Sequence, residues 1–194
     1  MDTRRSLLAG AMQAPAVVGI VIVAWGLCSG SFAQEKPAPS SADRASRPVI
    51  NVATSLTLEE ARVIIEAAMA KVRADKGRAA IAVVDDNGNL VSMDRMDGTS
   101  SFFQRFAVGK AVGAVALQQT TGESADQYAV NPQRFLSALS MLQGEVLLIR
   151  GGFPLIVDGR IVGGVGSAGH RADGDVEAVK AGIAAWERFR KERR

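Results

Sequence analysis

Arg95, Met96 and Asp97 set a guanidinium, a thioether and a carboxylate on successive residues, closed by Gly98. A guanidinium grips carboxylates through paired N–H donors, and a thioether is a soft donor to a transition metal. Lys110 offers a second cation and Met93 a second thioether. His170 is the one imidazole in the chain, and so the first candidate for a metal ligand. Each also has a plainer reading. Arg95 or Lys110 pairs with Asp97, Lys110 lays its stem along a helix with its ammonium in water, the methionines pack, and His170 sits in an exposed loop. Tyr128, the only tyrosine, falls in a segment without a clear pattern. One histidine and one cysteine exclude a multi-histidine zinc site and all but exclude a Ser-His-Asp set, so no catalytic residue is assigned.

These side chains need elements to aim them. Residues 79–98 read as two strands about a tight turn. Ala80 to Val84 is apolar, the Asp-Asp-Asn-Gly-Asn run turns the chain, and Leu90, Ser92 and Asp94 then alternate with Val91, Met93 and Arg95. The Arg-Met-Asp set thus lies where a strand gives way to a loop, a common place for a site. Before it, Thr57 and Glu60 form a capping box. They open a helix, from Ser55 or Thr57, with Leu58, Ala61, Ile65, Ala68, Met69 and Val72 at helical spacing and Gly77 as its stop. A second helix, from about Ser101 to Gln119, carries Lys110 among Ala107, Gly109, Ala111 and Gly113, small enough to let another backbone come close.

Residues 120–145 show little beyond a short helix beginning at Asn131-Pro132, and Val146–Ile149 reads as a short strand. Gly151 and Gly152 break the chain before a hairpin, Pro154–Val157 and Arg160–Val165 about Asp158-Gly159. Glycines at 163, 164, 166 and 169 mark close approach by another backbone or by a flat ligand. The last helix, about Asp173 to Arg193, has acids early and bases late, as its dipole favours. The fold class is α+β, an antiparallel sheet built from hairpins and flanked by helices. The glycine-rich segment ends a hairpin rather than joining strand to helix, so it is no dinucleotide fingerprint.

The N-terminus reads as an address. Residues 1–33 join Arg4-Arg5 to a long uncharged stretch, and Ser31-Phe32-Ala33 offers a cleavage site before Gln34. That predicts an export signal leading to the periplasm or outside the cell, by the secretory or the twin-arginine route. Contact with a membrane is expected only through an uncleaved signal. Residues 34–55, with three prolines and several serines, read as a disordered linker, and 56–194 as the folded domain. Cys28 lies in the leader, so the mature protein would have no thiol. Aromatics make up only 5%, and much of the net charge of +3 comes from the last helix, so no nucleic-acid partner is expected.

The motifs, taken in order, resemble the GlcG/HbpS family of heme-binding proteins, a domain also found as the C-terminal part of PduO corrinoid adenosyltransferases. The resemblance covers roughly 56–187. It rests on LTLEEA at 56–61, AVVDDNGNLVSMDRMDG at 82–98, FAVGKAVGA at 106–114, GGFPLIVDGRIVGGVG at 151–166, and Asp175. It implies a sheet flanked by helices, homo-oligomers, and binding of heme or a related tetrapyrrole, a corrinoid being the lesser alternative. By position, the matching residues are Arg95, Met96, Asp97 and Gly98, then Lys110, then Gly151, Gly152 and Pro154. One departure is plain: where relatives usually read Gly-Val-Ser-Gly, this chain has Gly166-Ser167-Ala168-Gly169, so the family serine falls on Ala168. Axial ligation varies in the family, which leaves His170 as the candidate metal ligand.

Three functions are compatible with these features. The first is an exported heme-binding protein, without catalysis, that sequesters, senses or carries its ligand. The second is an enzyme using Arg95, Asp97 and Lys110 on a small anion. The third is an oligomeric accessory protein of an oxidoreductase system. The first expects Arg95, Lys110 and the 163–170 segment to fringe one slot between the hairpins and the second helix.

Overall fold

A computed structural model describes residues 56–193. The expected export signal at 1–33 and linker at 34–55 lie outside the described residues. The elements run α1 (Leu58–Ala74), β1 (Ala80–Asp85), β2 (Leu90–Arg95), α2 (Phe102–Ala116), α3 (Thr121–Ala129), α4 (Pro132–Met141), β3 (Gly152–Val157), β4 (Arg160–Ala168) and α5 (Ala172–Glu192). The fold is α+β: one four-stranded sheet, order β2-β1-β4-β3, antiparallel throughout. Both hairpins form where turn chemistry placed them. Asp85 accepts the N–H groups of Asn87 and Asn89 at 2.9 and 2.8 Å. Asp158 and Gly159 both take positive φ, 50° and 74°, which matches the twist of a two-residue hairpin turn.

The period of two in β1 sorts its residues onto two unlike faces. Ile81 and Val83 join Val165 and Leu155 beneath α1 and α5, where Ile64, Ile65 and Trp186 fill the main core. Ala80 and Ala82 face the other way, with Ala107 of α2 and Ala168. In register beside Ala82 and Val84 stand Gly166 and Gly164 of β4. That face is almost bare of side chains, so α2 lies directly on it. A Cβ on Gly166 would stand 2.1 Å from the Ala107 carbonyl oxygen, and one on Gly164 2.6 Å from that of Ala111. The glycines therefore admit a helix backbone, and the slot for a flat ligand expected between this sheet face and α2 is filled by packing.

Two boundaries differ from expectation. α1 stops before Gly77: Lys76 takes the left-handed turn at φ 54°, and the Gly77 N–H bonds back to the Val72 carbonyl. Val146–Ile149 is no strand. Its Leu147 N–H donates to the Gly109 carbonyl of α2 at 2.9 Å, so the run is used against a helix rather than added to the sheet.

The capping box at Thr57 and Glu60 forms and gains a second function. Glu60 also accepts from Trp186 Nε1 at 3.3 Å and pairs with Arg190, tying α1 to α5. Burial pulls its carboxyl pKa up, but hydrogen bonds from Thr57, the Arg190 charge and the Trp186 bond outweigh that and hold it below the usual 4.5. A depressed carboxyl pKa gives stability that is present above the unfolded value and lost as pH falls through the folded one. Glu60→Gln is therefore expected to lower stability by roughly 1–3 kcal/mol at neutral pH. The gap between wild type and variant should shrink in thermal melts as the pH falls below the usual carboxylate range and through the depressed pKa of Glu60; a gap that does not change with pH would contradict the assignment.

Candidate functional site

β2 is an edge strand, and the chain leaving it is tightly held. The Met96 N–H donates to the Ala79 carbonyl at 3.0 Å, which extends the β1–β2 ladder one step. Asp97 and Gly98 then turn the chain, with the Thr99 N–H on the Met96 carbonyl at 3.1 Å and Gly98 at φ 74°. The Arg95 guanidinium closes this loop by donating to the Thr99 carbonyl. Arg78, just before β1, lays its guanidinium over Gly98, 3.2 Å from where a Cβ would stand.

Along this edge runs an open cleft of about 690 Å³. Its walls are the end of α1 (Met69, Arg73), Gly77 and Arg78, the residues from Met93 to Asp97, and Gln104 of α2. Three arginines thus line one space, with three largely packed methionines among its other lining residues. Of the two carboxylates there, Asp94 is engaged by Arg62 at 2.7 Å. The remaining balance is positive, and the cleft surface is largely polar, with the methionines a minor part of it. Such a wall suits the acidic groups of a ligand. Among the described residues, no group of three His, Cys, Asp or Glu side chains is gathered as for a metal ion, and no helix is long and apolar enough to cross a membrane.

Residues 56–184 match a family model described as "Haem degrading protein HbpS-like". The chain belongs to that family. It is 31% identical to the corrinoid adenosyltransferase PduO of Citrobacter freundii over 69% of its own length, but spans only 39% of that longer protein. The crystal structure of a PduOC–heme complex superposes with a TM-score of 0.61 at 27% identity, covering 68% of this chain and 94% of that one. A double mutant of HbpS from Streptomyces reticuli gives a TM-score of 0.61 at 31% identity, over 77% and 97% of the two chains.

In this HbpS-like chain, Arg95, Met96 and Asp97 stand together in the cleft wall, with Met93 beside them. Lys110 does not join them. It is buried, donating to the Ser167 carbonyl at 2.7 Å and to Asp175 Oδ2 at 3.1 Å. Burial pushes its ammonium pKa below the usual 10.5, and Asp175 pulls it part of the way back. Snorkelling, a pocket cation and an ion pair with Asp97 are the three sequence readings of Lys110; the ammonium is in an ion pair, but an internal one with Asp175. Asp175 is completed by the Ser167 hydroxyl, which donates at 2.9 Å. The Arg95–Asp97–Lys110 set expected for a small-anion enzyme is therefore not assembled.

Gly151 and Gly152 belong to this internal network. A Cβ on Gly151 would lie 3.2 Å from Lys110 Nζ, and one on Gly152 2.4 Å from the Lys110 carbonyl oxygen. Gly151 also lines a separate cleft, of about 280 Å³, with Arg150 and Phe153. His170 is neither exposed nor open to a ligand. Its side chain is 8% exposed, with Nε2 3.8 Å from Asp75. The ring occupies the space where side chains on Gly77 and Gly174 would stand. Tyr128 is buried on α3 against Phe135, with Arg134 over its ring. Sequence reasoning missed Arg73, Arg78 and Gln104. The spacing of Met69 and Arg73, four apart on a helix, placed both on one face, but nothing local said that this face meets the β2 edge.

Proposed function

We propose that this protein is exported and binds heme in the cleft along the β2 edge, holding it for sequestration, sensing or carriage. The observation that carries this is the convergence of Met69, Met93 and Met96 with Arg73, Arg78 and Arg95 around about 690 Å³. Heme carries two propionates that need cations, and the three guanidiniums along this open, largely polar cleft would supply them. The PduOC–heme complex supports the ligand class, since its fold and 27% identity are shared. A corrinoid is the lesser alternative, by likeness to PduO. The leader at 1–33 is read as removed before Gln34, and assembly into homo-oligomers is part of the proposal. When bound, heme supplies its iron chemistry; this chain's residues supply the ion pairs and the apolar contact.

The test is a hemin titration of protein purified from a periplasmic extract, where its mature N-terminus is expected at Gln34. A red-shifted Soret band should saturate at one heme per protomer. Arg73→Ala and Arg95→Ala should each weaken hemin binding about tenfold, as the loss of one charge-assisted bond implies. Cobalamin should compete poorly. A hemin spectrum unchanged by stoichiometric protein would reject the proposal. A Soret band that bleaches with reductant and oxygen would replace holding with degradation.

A further inference from the structure

β2 ends the sheet on one side, and its outer backbone has no strand beside it among the described residues. We infer that this edge takes an extended, acidic segment of a partner protein, added to the sheet as a further strand. The ladder fixes which groups are on offer. The Met96 N–H bonds to the Ala79 carbonyl, so the bonded pairs behind it are Ile81 with Asp94 and Val83 with Ser92. Met93 and Arg95 fall between them, opposite Ala82 and Ala80. Their N–H and C=O groups therefore point away from β1, toward the cleft that Met93 to Asp97 line. The irregularity in this ladder lies beyond Ser92, so the stretch from Ser92 to Arg95 keeps regular strand geometry. Unpaired edge groups of this kind are a template for another chain.

Charge selects the chain. Arg73 and Arg78 are exposed in the wall of the cleft, and Arg95 is exposed on the strand itself. Asp94 is engaged by Arg62 at 2.7 Å, which leaves Asp97 against three guanidiniums. Side chains alternate along a strand, so carboxylates at every second residue share one face. There they would meet guanidiniums through paired N–H donors. A small polyanion would satisfy the arginines but set its charge against the outward carbonyls of Met93 and Arg95. A peptide backbone meets donors and acceptors alike. A second copy pairing through its own β2 would bring two arginine-lined clefts together, so the charge disfavours it. The inference does not rest on the heme reading. Both ligands would use the same guanidiniums, and each would exclude the other.

Fluorescence polarisation of a short labelled peptide alternating Glu and Thr, with hemin-free protein, provides the test. The peptide should bind in the micromolar range and more weakly as salt rises. A matched peptide alternating Lys and Thr should not bind. Arg73→Ala and Arg78→Ala, with folding checked by circular dichroism, should each weaken binding about tenfold. N-methylation of every second residue blocks one edge of the peptide. In one phase it should abolish binding, and in the other leave it unchanged. Binding that survives both phases, binding that neither arginine variant weakens, or equal binding of the Lys-Thr peptide overturns the inference. So does a wild type that takes up no Glu-Thr peptide at about 1 mM, the result expected where a second copy already covers the edge. None of these results depends on whether hemin binds.

Discussion

Lys110→Met is expected to destabilise the protein by about 3–5 kcal/mol, the usual cost of removing one partner from a buried ion pair. Lys110 and Asp175 are 3% and 3% exposed and meet at 3.1 Å. Without the ammonium, the carboxylate keeps only the Ser167 hydroxyl at 2.9 Å and the His170 N–H at 3.3 Å. Two neutral donors do not replace a full charge in a site closed to water. The double variant Lys110→Met/Asp175→Leu should recover most of the loss, because a well-packed apolar pair is often as stable as the ions it replaces. Urea denaturation of the four proteins in the cycle gives the coupling directly. If Lys110→Met costs less than about 1 kcal/mol, the pair is no keystone.

The same variant separates structure from ligand binding. Lys110 is not among the cleft residues, so folded Lys110→Met should bind hemin as wild type does, whereas Arg95→Ala should not. A loss of hemin binding in a folded Lys110 variant would return this residue to the site.

What the sequence disclosed followed the range of the rules involved. The Thr57–Glu60 cap, the Asp85–Asn89 turn and the Asp158-Gly159 turn each depend on residues a few positions apart, and each formed as expected. Arg95, Met96 and Asp97 were found together because they are neighbours in the chain. Lys110 was misplaced because its partner lies 65 residues away. His170 looked like a donor because an imidazole advertises chemistry. The space that encloses it comes from Gly77 and Gly174, whose lack of a side chain has no meaning until α1 and α5 are packed. Arg73 and Arg78 went unnoticed for the same reason: a charged helix end reads as solvated until a strand edge is set beside it. Val146–Ile149 shows the limit of composition alone. Its apolar run fits a strand, yet its partner is Gly109 on a helix.

The glycines of β4 carry the other large effect. Gly166→Ala adds one carbon, and that carbon would stand 2.1 Å from the Ala107 carbonyl oxygen and 2.8 Å from the Ala111 nitrogen. Both are helix backbone, which no rotamer change can move, so α2 must lift from the sheet. Overpacking commonly costs about 1–3 kcal/mol when side chains can yield; here they cannot, and the loss should reach or exceed the top of that range. Gly159→Ala is the matched control. Its φ of 74° strains any side chain, but nothing lies within 4 Å of the new carbon, so only the conformational cost of about 1–2 kcal/mol applies. Comparing the two by denaturation separates contact from conformation. A Gly166→Ala protein as stable as wild type would mean that α2 and β4 stand further apart than described. The gap between them would then be open to a flat ligand, and the β2-edge cleft would lose its claim to be where heme is held.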